Sequence, residues 1–454
     1  MADAMSTLLK RLACALVLLG AAGLGRAADA DANLIERGRY LAVAGDCAAC
    51  HTAAGKAPFS GGVAIASPLG TIYSTNITPS RAHGIGAWTQ QQFARALRAG
   101  VRADGSHLYP AMPYTAYARI TDDDTAALYA YFMHGVRADD TSPPRTELPF
   151  PFSVRMSMGI WNWLYLDGKP FEADTTRSAE WNRGAYLAQG LAHCATCHTP
   201  RNFLMAEQSS RYLQGASLGT WYAPDIRPGK PGWDRAMLVE YLRTGHARNG
   251  ATAGGPMLEA IDKSFSKMAP EDIAAIATYL NDLPPGQRAT APPSAAVAVV
   301  APLPRGDVEA LAGRIGAGER LYRNNCASCH QADGDGVRGL PALRNHAVLR
   351  TPSADNVAMA VLEGVWPEDG QGMPGFAGEL SDQEVADIGN YVMATFGGSK
   401  VAIDAARVRE LRAGGAVSPL LLLARVGMVA AALALAVVVW QWLRRRKRRA
   451  GIPR

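Results

Sequence analysis

The sequence predicts an all-α chain of three small tandem helical units followed by one membrane-spanning helix. Three observations carry that expectation. The motif Cys-x-x-Cys-His occurs three times, at Cys47–His51, Cys194–His198 and Cys326–His330. Each copy follows a short segment of similar spelling and precedes a segment with its own helix-start signal. Near the C-terminus, Val426 to Leu443 is an 18-residue run without formal charge, and six consecutive basic residues come directly after it. A length of 454 residues has room for two to four domains.

Cys-x-x-Cys-His is the attachment signature of c-type haem. Two thiols add across the porphyrin vinyl groups as thioethers, and the adjacent imidazole ligates the iron from one face. Two intervening residues give the cysteines a helical spacing that matches the vinyls. Three copies imply three covalently bound haems c, held by Cys47 and Cys50, Cys194 and Cys197, and Cys326 and Cys329, with His51, His198 and His330 on the irons. The seventh cysteine, Cys14, lies in the N-terminal leader, so no thiol remains for a disulfide. Aromatic content is only 7%, which suits thin helical domains that take a large cofactor as part of their core.

The repeat extends beyond the motif. Arg37-Gly38-Arg39-Tyr40-Leu41 precedes the first copy, Arg183-Gly184-Ala185-Tyr186-Leu187 the second, and the looser Gly318-Glu319-Arg320-Leu321 the third. Each fits a helix running into the haem turn. Each unit closes in a helix: Thr121 to Asp124 and Ser381 to Glu384 resemble capping boxes, and Pro270 follows Ala269 in the first turn of the other. Tyr131, Tyr279 and Tyr391 stand ten residues after Thr121, Ala269 and Ser381. This register predicts that the last helix packs on the first in every unit. Units one and two also share Gly70 to Tyr73 with Gly219 to Tyr222, and a helix opened by Trp88 or Trp233.

The ends of the chain set its topology. Lys10 and Arg11, the apolar run Leu12 to Leu19 and small-residue cleavage options read as a signal peptide over residues 1–28. Residues 419–443 read as a transmembrane helix, with Trp440 and Trp442 at its interface, and residues 444–454 as a basic tail kept in the cytoplasm. Most of the +6 net charge sits in that tail, and the remaining body is slightly acidic, so nucleic acid is not an expected partner. The units fall at 31–138, 176–283 and 307–400. Residues 139–175 form a linker whose aromatic stretch around Trp161, Trp163 and Tyr165 reads as inter-domain core in preference to a surface that packs on a partner. The Pro/Ala-rich linker 284–306 reads as a flexible or extended spacer that lets the third unit move.

A second axial ligand decides between electron transfer and an open catalytic face. Met112, Met257 and Met373 each lie in a proline- or glycine-rich loop before the last helix, 61, 59 and 43 residues after the haem histidine. These three read as the sixth ligands, with Met268 a nearby competitor to Met257. Met133, Met359 and Met393 fall on helices and read as core. His83, His107, His134, His193, His246 and His346 read as surface or loop residues, with His193 placed to line a haem edge. Asp333 to Gly336 is no calcium loop, for want of the twelfth-position glutamate. No dinucleotide fingerprint, P-loop or nucleophile elbow is present, and no catalytic residue is assigned.

The runs Ser67 to Pro79, His83 to Gly86, Tyr109 to Tyr114 and Leu380 to Glu384 resemble the cytochrome c subunits of membrane-bound bacterial dehydrogenases acting on alcohols, aldehydes, gluconate, sorbitol or fructose. The resemblance covers residues 31 to 400 and implies three class I cytochrome c domains. It implies a periplasmic subunit on the inner membrane that takes electrons from a catalytic dehydrogenase subunit and delivers them to ubiquinone. Two other readings stay open: an independent membrane-tethered shuttle to a terminal oxidase, and a multi-haem peroxidase.

Overall fold

A computed structural model describes residues 31–229, 233–284, 307–337, 340–344, 346–416 and 418–450. The expected signal peptide and nearly all of the Pro/Ala spacer lie outside them.

The chain is built on one helix crossing, used three times. A helix over residues 31–44 crosses Asp122–Ala130, Ala179–Gln189 crosses Pro270–Asn281, and Asp307–Asn325 crosses Asp382–Thr395. Glycine permits each crossing. A Cβ on Gly38 would lie 1.9 Å from the Ala127 carbonyl oxygen, one on Gly184 1.9 Å from that of Ala275, and one on Gly318 2.2 Å from that of Asp387. Backbone touches backbone, so no side chain fits. The Cβ atoms of Tyr131 and Tyr391 are among the nearest neighbours of Gly38 and Gly318, which is the packing the repeat register predicts.

Ser381 and Glu384 form the complete reciprocal capping box. Thr121 caps through Asp124 N–H alone, because the Asp124 carboxylate is engaged elsewhere. Arg37 grips it through Nε at 2.9 Å and Nη2 at 2.5 Å, and Tyr186 of the second unit donates to it at 2.5 Å. The second unit mirrors this: Arg183 makes two bonds of 2.7 Å to Asp272, and Tyr40 of the first unit donates at 2.5 Å. Each tyrosine oxygen also accepts the N-cap N–H of the other unit's last helix, Tyr40 from Ala269 and Tyr186 from Thr121. One hydrophobic core accordingly runs through both units, from Leu41 to Leu280.

Two antiparallel hairpins amend the all-α expectation. Ala64–Ser67 pairs with Gly70–Tyr73, and Gln214–Ser217 with Tyr222–Asp225. Their strands are four residues long, too short to show a period-2 pattern. The third unit has its own core, which continues past residue 400 into the helix Ala405–Arg412 through Val408 and Leu411.

The third unit does not hang free, contrary to the spacer-based expectation. Asn356 accepts from Tyr222 N–H at 2.7 Å and donates to the Tyr222 carbonyl at 2.9 Å. Arg407, paired with Asp355 at 2.7 Å, donates to the Gly219 carbonyl. Lys263 and Lys267 of unit two bind Glu368 of unit three. Trp221, at the tip of the second hairpin, is buried in the third unit's core. These contacts cannot be read from the composition of a spacer.

Residues 139–165 are inter-domain only in part: Trp161 meets Tyr114 of the first unit and donates to the Leu204 carbonyl of the second. They wrap the first unit: Thr146 Oγ1 accepts from Tyr73 N–H, and Asn76 donates to the carbonyls of Asp139 and Thr141. The helix Ser157–Tyr165 then turns Asn162 inward and leaves Trp163 82% exposed. Leu420–Ala450 forms the C-terminal helix, of which Leu420–Arg446 is long and apolar enough to cross a membrane and is not buried against the body.

Overpacking normally costs about 1–3 kcal/mol, and at a backbone-to-backbone contact neither side yields. Gly184→Ala should therefore lower stability by about 3 kcal/mol or more in chemical denaturation. Gly378→Ala, with open space around it, should leave the curve unchanged.

Candidate haem-binding sites

Each Cys-x-x-Cys-His segment forms one short helical turn, Cys47–His51, Cys194–His198 and, in the third, Ala327–His330 after Cys326. In the first two the preceding residue is left-handed, Asp46 at φ 51° and His193 at φ 36°, so the chain turns sharply from the long helix into the motif. Each motif histidine is then oriented by a backbone carbonyl. His51 Nδ1 lies 2.6 Å from the Thr75 oxygen, His198 Nδ1 2.6 Å from that of Pro224, and His330 Nδ1 3.0 Å from that of Pro341. A carbonyl only accepts, so the proton sits on Nδ1, and Nε2 is left with a lone pair for a metal. Burial also holds His51 below the ordinary imidazole range, against the opposing pull of the Thr75 carbonyl.

The thiols sit in surroundings that reject charge. Burial pushes Cys47 and Cys194 up to about 12, with neighbouring acidic groups adding. Cys326 reaches about 11 for the same first cause, while Cys50 is exposed. A neutral thioether suits such a place and a thiolate does not. Neutral sulfur, a directed Nε2 and a partly buried methionine are the donor set c-type haem requires.

The hairpins supply two of the three carbonyls. Thr75 follows Tyr73 by two residues, and Pro224 follows Tyr222 by two. The repeated Gly-Thr-x-Tyr segment is thus the sequence signal for a feature that sequence reasoning did not assign. Nothing comparable marks Pro341.

Two of the three methionines occupy equivalent positions. Val101 bridges His107 and His246 bridges Thr252, and the methionine stands five residues after the second partner, at Met112 and Met257. In the shorter third unit Met373 itself bridges Val365, with 2.8 and 2.9 Å backbone bonds. All three are partly buried. Met257 lies in the first turn of the helix Gly255–Lys263 instead of a loop, because Pro256 suits a first helical turn. Met268 is 4% exposed and packed in the common core. Met359 and Met393 are buried core residues as expected.

Units one and two lean on each other's motifs. Tyr117, five residues after Met112, donates to the Gly45 carbonyl and meets the His193 ring edge-on at 5.7 Å. The Met257 helix packs against Cys47–His51, bringing Glu259 toward Asp46. Asp46 Oδ1 is buried without a hydrogen-bond partner among the described residues. Burial, with Glu259 adding and Lys263 and Lys267 opposing, pushes Asp46 up to about 8.

Two histidines differ from the surface reading. Burial drives His193 down to about 4 beside Cys194, and it drives His346 to about 4, with His330 and His246 adding. His346 is 6% exposed and accepts from Val348 N–H. The second and third methionine segments meet at Trp221: a Cβ on Gly255 would lie 2.4 Å from its indole, and one on Gly254 3.7 Å from Val365.

Removing the Tyr40 hydroxyl leaves a buried carboxylate one donor short, at a cost of about 1–3 kcal/mol. Burial alone would raise Asp272, but the bonds from Arg183 and Tyr40 outweigh it and hold it below its ordinary value. A depressed carboxyl stabilises the fold above its unfolded pKa, and that stability is lost as pH falls through the folded one. Thermal melts from neutral to acid pH should therefore show Tyr40→Phe less stable throughout, with its acid limb displaced toward higher pH.

The cytochrome c family model matches residues 35–135 and 315–396. The chain is 42% identical to the fructose dehydrogenase cytochrome subunit of Gluconobacter japonicus, with 93% of each chain covered. It is 37% identical to the cytochrome c subunit of the alcohol dehydrogenase (quinone) of Gluconobacter oxydans, over 89% of this chain and 88% of that one. It is 36% identical to the gluconate 2-dehydrogenase cytochrome c subunit of Pantoea cypripedii, over 87% of this chain and 94% of that one.

Proposed function

The chain belongs to the family of dehydrogenase cytochrome c subunits, and from that premise we propose that it is the membrane-anchored, periplasmic electron-transfer subunit of a dehydrogenase complex. In this reading it takes electrons from a catalytic partner subunit and passes them to membrane ubiquinone, with no substrate chemistry of its own. The observation that carries it is the same histidine geometry three times, with Nδ1 tied to a backbone carbonyl. Covalently held haem c supplies reversible one-electron storage at each unit.

The protein's residues take distinct roles. Cys47 and Cys50, Cys194 and Cys197, and Cys326 and Cys329 form the thioethers. His51, His198 and His330, oriented by Thr75, Pro224 and Pro341, would hold the iron through Nε2. Met112, Met257 and Met373 would supply the thioether sulfurs that complete its ligand set. The matching register of Met112 and Met257, and the core position of Met268, support Met257 over its neighbour. Closed sites exclude substrate, and a neutral thioether ligand raises the potential. The interlocked cores of units one and two, and the Trp221 contact between units two and three, support a fixed relay over a swinging carrier. The signal-like N-terminus and the basic tail after the apolar helix support a periplasmic body with a cytoplasmic C-terminus.

Met112→Ala, Met257→Ala and Met373→Ala should each keep three haems by pyridine haemochrome assay while lowering one midpoint potential. Met268→Leu should leave all three in place. Three unchanged potentials in Met257→Ala would remove that residue from the ligand set. Purified from its native membranes, the chain should carry a larger dehydrogenase in fixed stoichiometry, and quinone reduction should require both. A chain isolated with no such partner would sink the proposal.

A further inference from the structure

We propose that the outer face of the helix Ser157–Tyr165, with the turn leading into it, lies in the headgroup boundary of the membrane as a second, non-spanning attachment. The inference rests on the membrane-anchored reading above. Outside the C-terminal helix, eight of the twelve exposed large apolar side chains among the described residues lie on residues 150–164 or on Phe203 and Leu204. They form a patch and are not scattered, because Trp161 Nε1 donates to the Leu204 carbonyl at 2.9 Å and joins the two segments.

The helix is fixed with this face outward. Asn162, 9% exposed, accepts from Tyr114 OH at 2.8 Å and donates to the Ala99 carbonyl at 3.0 Å. Trp161 meets Tyr114 edge-on. The opposite stripe is Met156, Ile160, Trp163 and Leu164, at helical spacings of four, seven and eight from the first and 79%, 66%, 82% and 50% exposed. No charged residue occurs from Met156 to Leu166. A helix facing water ordinarily carries charge on that side.

Position identifies the occupant as lipid. Ser418, just before the spanning helix, donates its N–H to the Pro68 carbonyl at the tip of the first hairpin. The nearest side chains to Gly70 at that tip are Leu148 and Pro149, and Phe150, 58% exposed, comes next. Two reverse turns, Phe152 N–H to Pro149 O and Val154 N–H to Pro151 O, keep the chain compact up to the helix. The apolar face therefore begins where the spanning helix leaves the body. Arg155, the only charge between residues 150 and 166, is turned back onto the protein, over the Tyr109 ring at 4.4 Å and onto the His107 carbonyl. Aliphatic side chains with an exposed tryptophan suit the headgroup boundary.

The test uses the full haem-loaded chain with Cys14→Ser, reconstituted in phosphatidylethanolamine/phosphatidylglycerol vesicles. Single cysteines at Ile160→Cys, Leu435→Cys and exposed Asp123→Cys carry a nitroxide. Collision with oxygen and with a water-soluble nickel chelate reads the depth of each. The label at 160 should lose nickel collisions and gain oxygen collisions relative to 123, at a shallower depth than 435. Nickel access at 160 equal to that at 123, with 435 buried, overturns the inference alone. Protection of 160 from both reagents only after the partner dehydrogenase is added assigns the face to protein and also overturns it. Nickel access at 435 would defeat the anchoring reading itself.

Discussion

Everything in the body of this protein depends on helices meeting backbone to backbone at Gly38, Gly184 and Gly318. At that separation the first and last helices of each unit act as one rigid corner. The haem motif leaves the corner at a fixed angle, through a left-handed residue in the first two units. The motif helices are only four or five residues long and have no independent stability. Their geometry is borrowed from the crossing.

The same corner joins units one and two. Because Gly38 and Gly184 let the helices approach, Arg37 and Arg183 reach the first turn of the last helix, where Asp124 and Asp272 sit. Each carboxylate also accepts a tyrosine from the other unit, Asp124 on the oxygen that Arg37 leaves free and Asp272 on an oxygen shared with Arg183. The two exchanges are reciprocal, so neither unit can rotate without breaking both. The third unit has Ala317 and Arg320 at the corresponding positions and Glu384 turned back on Ser381. It keeps the corner and lacks the exchange, which is why its core is separate.

The helical corner and the candidate site motifs are readable in the sequence because both are local. Three cysteine–histidine motifs, tyrosines at a constant offset and methionines beside proline or glycine are patterns within a few residues. The cross-unit tyrosines were spelled out twice, in Arg-Gly-x-Tyr, but their partner lies 232 residues away for Tyr40 and 62 for Tyr186. Repetition alone does not say what a repeated residue touches. Docking of the third unit was hidden for a related reason. A proline- and alanine-rich spacer describes only the connection, while the attachment is made by Asn356, Arg407 and Trp221 on surfaces far from it. In the aromatic linker Trp161 joins the first two units while Trp163 faces outward, because apolar composition marks a need for cover and does not say by what.

The two hairpins, absent from the all-α expectation, tie these parts together. At its base the first hairpin presents the Thr75 carbonyl to His51, and at its tip Pro68 takes the N–H that precedes the membrane-length helix. The second presents Pro224 to His198, while Gly219, Trp221 and Tyr222 hold the third unit. Each is therefore a strut between a candidate iron ligand and a neighbouring body. This explains why a largely helical chain keeps two small sheets, and why the Gly-Thr-x-Tyr repeat appears in the two units that have such a neighbour to hold.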